Sequence, residues 1–216
     1  MTVIGLGGKL RSGKDAIADH LVAEHGFVKI GMSDALHEAM LAIDPIVGAI
    51  GKYGPTSEAD TWRYSDLIAE IGYVEAKTKP EVRRLLQQLG TEVGRNMMGE
   101  NVWADIMARK VREHAANGRH VVVTGLRFEN EIEAIHRAGG FTWWVLRPLA
   151  DAPSAGAAAH SSENSVGRND FGFAIHNDGT LEDLGHSVDA LLYALTGRGR
   201  SVGDLIDPLA GREVAA

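Results

Sequence analysis

The sequence predicts an α/β protein: a mostly parallel five-stranded sheet with helices on both faces and a helical insertion after the second strand. Three observations predict it. Short apolar runs alternate with amphipathic helical stretches, the pattern of parallel strands joined by crossover helices. The first strand leads directly into a Gly-rich turn and then a helix. At 216 residues the chain is long enough for one such domain, an insertion and a sizeable core.

In chain order, Val3 to Leu6 reads as a buried strand, and the helix from Asp15 to His25 turns Ile17, Leu21 and Val22 inward. A short strand follows over 27–31. Ser33 and Asp34 precede a helix over Ala35 to Leu41, with a plausible N-cap. Residues 44–61, rich in Gly, Pro, Thr and Ser, read as a loop. Trp62 to Ile71 reads as a helix stopped at Gly72, with a short piece from Tyr73 to Lys77. Pro80 suits an early helical position, and the helix Glu81 to Arg95 carries Gly90 as an interruption. Asn101 to His114 is strongly amphipathic and closes at Asn117-Gly118. His120 to Thr124 is a buried strand, Glu129 to Ala138 a helix stopped by Gly139-Gly140, and Phe141 to Arg147 a strand stopped by Pro148. Residues 149–170 read as a mobile loop, Phe173 to His176 as the last strand, and Thr180 as the cap of a helix over 181–195. The remainder, 197–216, reads as a tail with disorder near its end. The domain is therefore placed at 1–196, with the insertion at about 44–118.

Within the first turn, Gly8-x4-Gly13-Lys14 has the spacing of a phosphate-binding P-loop. Glycines let successive backbone N–H groups converge on phosphate oxygens, and the following helix start adds partial positive charge. Lys14 supplies a mobile cation. Position 15 departs from the usual Ser or Thr: Asp15 brings a carboxylate that can hold Mg²⁺, directly or through water. In a parallel sheet, ligands bind beyond the carboxyl ends of strands. That rule singles out residues 8–15, 33–34, 125–127, 147 onward and 177–179. Transfer to a second phosphate needs cations, and Arg11, Arg95, Arg127, Arg147 and Arg168 are the candidates. Arg127 leads them because it follows a buried strand.

Composition narrows the classes. A net charge of −7 opposes a broad nucleic-acid footprint, so no stable nucleic-acid binding is expected. There is no Cys, hence no disulfide framework or thiolate zinc site. No signal-peptide pattern or membrane-length apolar run is present, and a cytoplasmic location without membrane association is expected. The nine His show no His-Glu-x-x-His spacing, and no zinc site is expected. Trp143-Trp144 reads as core and packed surface ring, Trp62 to Tyr64 as helix packing, and Glu129 and Glu131 as helix-start carboxylates facing the dipole.

Five stretches together resemble the phage-type deoxynucleoside monophosphate kinases, a branch of the P-loop nucleoside-monophosphate kinase fold. They are Gly8 to Asp15; Leu89-Gly-Thr-Glu-Val-Gly-Arg95 with Trp103; Leu126-Arg-Phe-Glu-Asn-Glu131; His160-Ser-Ser-Glu163; and Ile175-His-Asn-Asp-Gly-Thr-Leu181. Their order and spacing cover residues 1 to about 195. The resemblance implies a three-layer P-loop kinase sandwich that moves the γ-phosphoryl of ATP, with Mg²⁺, to a deoxynucleoside monophosphate. It implies that Gly8, Arg11, Ser12, Gly13 and Lys14 hold ATP phosphates, that Asp15 supports Mg²⁺, and that Asn177 and Gly179 lie near the adenine. Ser33, Asp34, Thr91, Glu92 and Arg95 would line the acceptor side, and Arg127 would grip the acceptor phosphate or the transferred group. The 149–170 loop would be a lid carrying His160, Glu163 and Arg168, with Arg147 just ahead of it. The implied partners are small-molecule nucleotides, with a homodimer through the insertion's apolar face, in a bacterial cytoplasm or a host's if phage-encoded.

One departure stands out: the family usually has Asp where this chain has Gly125, which shifts metal duty onto Asp15, Asp34 or phosphate oxygens. Two alternatives stay open. One is the same fold acting on another small phosphorylated metabolite or a modified pyrimidine. The other is an ATP-binding switch or ATPase without an acceptor.

Overall fold

The computed structural model describes residues 1–49, 61–148 and 165–197. These fall into two compact units: Met1–Met32 with the described residues from Met107 onward, and the described residues of Ser33–Ile106, which take in a helix ahead of the 44–118 stretch.

The first unit holds the sheet. Its strands are β1 (Val3–Gly8), β2 (Val28–Gly31), β5 (Val121–Leu126), β6 (Phe141–Leu146) and β7 (Phe173–His176), in the order β2-β5-β1-β6-β7. Every pairing is parallel. Strand β1 is central because its side chains suit burial on both faces. Ile4 and Leu6 face α1 (Lys14–His25) and α7 (Leu181–Thr196), forming a core with Ile17, Leu21, Val122, Trp143, Val145, Leu184 and Val188. On the other face Gly5 has no side chain, and a Cβ there would lie 2.6 Å from Leu126 Cδ1 and 2.9 Å from Ile135 Cγ1. That gap admits α6 (Glu129–Arg137), whose Ile132 and Ile135 are buried. Trp143 and Trp144 are both buried, as the core reading expects.

The second unit contains α2 (Asp34–Ile43), β3 (Ile46–Ala49), β4 (Thr61–Arg63), α3 (Tyr64–Ala76) and α4 (Pro80–Gln87). A π-helical segment, Gln88–Met98, continues α4, and α5 (Val102–Ala116) begins here. Met40, Val47, Tyr64 and Val82 form its core. The expected 44–61 loop is corrected at its ends: β3 and β4 pair antiparallel, and Trp62 is in a strand rather than a helix. Asp44 is the reason. It closes α2 in a left-handed conformation, and its carboxylate accepts the Ser65 N–H at 2.8 Å and the Ser65 hydroxyl at 3.1 Å, drawing the strands together. Residues 50–60 lie outside the described residues. The stop at Gly72 holds, because its φ of 75° breaks the helical path inside α3.

The helix expected over Glu81 to Arg95 is replaced after Gln87 by the π-helical segment. Two glycines and one tryptophan account for this. The Trp103 indole N–H donates to Gly90 O at 2.8 Å, and the ring lies where a Gly94 Cβ would sit, 2.5 Å from Cζ2. A side chain at Gly94 would exclude the ring.

Candidate functional site

The turn after β1 is shaped by backbone conformations that few side chains tolerate. Gly8 has φ 141°, Arg11 φ 62° and Gly13 φ 103°. A Cβ on Gly13 would come within 2.3 Å of Asn177 Nδ2. Gly13 is also the N-cap of α1, so no side chain closes the helix start, the arrangement that favours a bound anion. The Lys14 ammonium folds back over the turn, donating to Gly8 O at 2.7 Å, Lys9 O at 2.6 Å and Ser12 Oγ at 3.4 Å. These acceptors are all neutral, and a phosphate oxyanion forms stronger charge-assisted bonds. The loop thus stores its cation beside the place where phosphate would bind.

Two buried supports hold the turn from below. Asn177, 8% exposed, donates its side-chain N–H to Ser12 O at 2.8 Å. Placed near the adenine by the resemblance, this residue has its amide committed to the phosphate turn. Gly179 lies beside the α7 cap, where a Cβ would sit 2.7 Å from Asp183 Oδ2. The second support is Phe171, whose ring packs on Gly7 so closely that a Cβ there would be 2.1 Å from Cζ. This contact, with Trp144 at 5.1 Å between ring centroids, anchors the end of the 149–170 stretch against β1. Sequence reasoning missed Phe171, because a lone aromatic after a polar loop carries no motif.

Around the turn, Arg147 is exposed and reaches Arg11 O at 3.4 Å. Exposed Arg168 donates to Phe171 O at 3.0 Å. His160 and Glu163 lie outside the described residues. Asp15 pairs with Lys29 Nζ at 3.1 Å, and Lys29 also binds Asp19 at 2.9 Å. Burial works against the Lys29 charge, yet the bonds to Asp19 and Asp15 leave its pKa raised. Asp15 keeps 78% of its side chain exposed. It is a hard oxygen donor at the loop mouth, a donor type that fits Mg²⁺, with Lys29 as the competing cation.

Arg127 follows β5, the neighbour of β1, so it and the turn leave adjacent parallel strands at the same end of the sheet. Its backbone is latched by buried Glu131, whose Oε2 accepts the N–H groups of Arg127 at 2.7 Å and Phe128 at 3.2 Å. The structural reading of Glu131 is thereby favoured. Gly125 has φ 85° and sits where the β1–β5 register slips, with Leu6 opposite Thr124 and Gly7 opposite Leu126. An Asp in this backbone conformation would be strained, so the departure at Gly125 belongs to a local bulge.

In the second unit, Ser33 and Asp34 open α2, and Ser33 O lies 3.4 Å from the Tyr73 hydroxyl. His37 stacks on Tyr73 with centroids 4.1 Å apart and shares a 2.9 Å hydrogen bond with the Tyr64 hydroxyl. Burial lowers the His37 pKa against the pull of Asp34 and Glu38. Burial also pushes the Tyr64 hydroxyl up to about 12. Thr91, Glu92 and Arg95 all lie on the π-helical segment, with Thr91 and Arg95 partly buried and Glu92 exposed. A Cβ on Gly90 would lie 3.3 Å from Leu36 Cδ1, so α2 packs beside the start of the π-helical segment within this unit.

The family model for deoxynucleotide monophosphate kinase matches residues 56–188. The deoxynucleotide monophosphate kinase of Escherichia phage RB69 is 27% identical over 112 residues, 51% of this chain and 44% of that protein. The chain thus matches less than half the length of this relative. Among solved structures, TT1252 from Thermus thermophilus superposes with a TM-score of 0.50 at 20% identity, covering 91% of this chain and 98% of the other. That likeness is one of fold. A dephospho-CoA kinase from Campylobacter jejuni superposes at 0.48 with 12% identity, over 91% of this chain and 98% of its own.

Proposed function

The chain belongs to the deoxynucleotide monophosphate kinase family, and on that footing we propose that it transfers the γ-phosphoryl of ATP to a deoxynucleoside monophosphate. The observation that carries this reading is the turn of Gly8 to Lys14, with its uncapped helix start and its lysine folded back to donate to Gly8 O, Lys9 O and Ser12 Oγ. An acceptor phosphate oxygen would attack the γ-phosphorus. The bond to the β–γ bridging oxygen would break, and ADP would leave. The acceptor is already anionic, so little general-base work is needed, and catalysis rests on positioning and charge.

Lys14 would turn from its carbonyl partners to the β- and γ-phosphates, and the amides of the turn would bind the same oxygens. Arg127, latched by Glu131, would meet the transferred group. Asp15 would hold Mg²⁺, which when bound offsets phosphate charge. Thr91, Glu92 and Arg95, with Ser33 and Asp34, would form the acceptor side. Arg147 and Arg168 would lie toward the lid.

The test is ADP release from ATP and Mg²⁺ against a panel of all deoxynucleoside and ribonucleoside monophosphates. Stimulation by one or a few deoxynucleotides is expected and would identify the accepted base. A flat panel accompanied by ATP binding would overturn the reading in favour of another acceptor or a switch.

A further inference from the structure

Three of the nine histidines come together at one place in the first unit: His20, His25 and His186. On α1, His20 and His25 both direct Nε2 at the same oxygen of Asp189 on α7, at 2.8 Å and 2.6 Å to Oδ1. The candidate donor atoms of the three residues all lie within 4.8 Å of one another. Their side chains are 25%, 13% and 11% exposed, so the cluster is sheltered but reachable. It borders a cavity of about 330 Å³ that is also lined by Glu24, Glu182 and His186. The backbone makes room for it: a Cβ on Gly185 would lie 2.9 Å from His20 Cε1.

From this juxtaposition we propose that His20, His25 and Asp189 form a binding site for a transition-metal dication of the Zn²⁺ class. The site is separate from the phosphate turn, since His25 lies about three helical turns beyond Lys14 along α1. Two imidazole nitrogens and one carboxylate oxygen match the donors that zinc accepts, whereas Mg²⁺ prefers oxygen alone. Tetrahedral zinc with bonds near 2 Å separates its ligand atoms by roughly 3.3 Å. Admitting the ion requires Asp189 to retreat by about 0.5 Å from His20 and about 0.7 Å from His25, with the two imidazoles adjusting to the same spacing. Each ring would present its Nε2 lone pair with its proton on Nδ1, so the Nε2 proton of a neutral ring moves to Nδ1 through solvent and that of an imidazolium is released. Water, His186 or Glu24 on the cavity wall is the fourth ligand. Once bound, the ion would tie the end of α1 to α7.

The experiment uses the untagged full chain, stripped with chelator and dialysed against micromolar Zn²⁺ without nucleotide. About one Zn²⁺ per chain is expected, with a raised Tm that Mg²⁺ does not reproduce. Co²⁺ should give the visible absorption of a four- or five-coordinate site. His20→Gln and His25→Gln should each weaken Zn²⁺ binding at least tenfold. In the unmodified chain, Zn²⁺ should shift the imidazole resonances of His20 and His25 in NMR spectra, a readout that does not depend on any variant folding. Absence of bound zinc, uptake undiminished in the double variant, or unmoved His20 and His25 resonances would each overturn the proposal. None of these outcomes involves ATP, so they leave the kinase reading to its own assay.

Discussion

Lys14 shows how single residues set the chemistry. Its ammonium donates to Gly8 O, Lys9 O and Ser12 Oγ, which hold it folded over the turn. Exchanging these bonds for phosphate oxygens is favourable because the new partners are anionic. Lys14→Ala should therefore nearly abolish turnover while leaving the circular-dichroism spectrum unchanged. Arg127→Ala should cost roughly a thousandfold in kcat, the scale of an arginine that stabilises phosphoryl-transfer charge. Its side chain is exposed, so little stability should be lost. Steady-state ADP release checks both, and retention of most activity by either variant would remove that residue from its assigned role. Asn177 and Glu131 act differently. Both are buried and bound to backbone, so each fixes the shape of a neighbouring turn.

The π-helical segment carries three of the expected acceptor residues, Thr91, Glu92 and Arg95. It exists because Trp103 fills the space above Gly94 and donates to Gly90 O. Trp103→Phe removes that hydrogen bond and leaves a part-buried carbonyl short of a donor. A loss of about 1–2 kcal/mol in urea unfolding is expected. Gly94→Ala forces a methyl group into the ring and should cost about 1–3 kcal/mol. Both changes should raise KM for the monophosphate more than KM for ATP, because the turn of Gly8 to Lys14 belongs to the other compact unit. Equal effects on both KM values would separate this segment from acceptor binding.

Across the whole molecule, the Ser33–Ile106 unit carries apolar side chains in solvent, among them Ile43, Val74, Met97 and Met98 at 63–79% exposure. Exposed apolar groups in such number favour association. The homodimer is accordingly a proposal for this unit, and light scattering at working concentration should give twice the 23.2 kDa chain mass. A monomer mass there would dismiss it. No helix among the described residues is long and apolar enough to cross a membrane.

What the sequence determined by itself is the local and periodic part of this protein. The alternation of apolar strands with helices specified the parallel sheet, and glycine spacing located the Gly8–Lys14 turn, because both depend on residues close together in the chain. Caps and stops were legible for the same reason, as at Thr180 and Gly72. Tertiary structure decided what depends on distant residues meeting. Phe171 rests on Gly7, Asn177 holds Ser12, and Asp189 gathers His20 and His25 across sequence separations that no motif spans. It also decided the π-helical path after Gln87: propensity favoured a continuing α-helix, but packing of Trp103 against two glycines outweighed it.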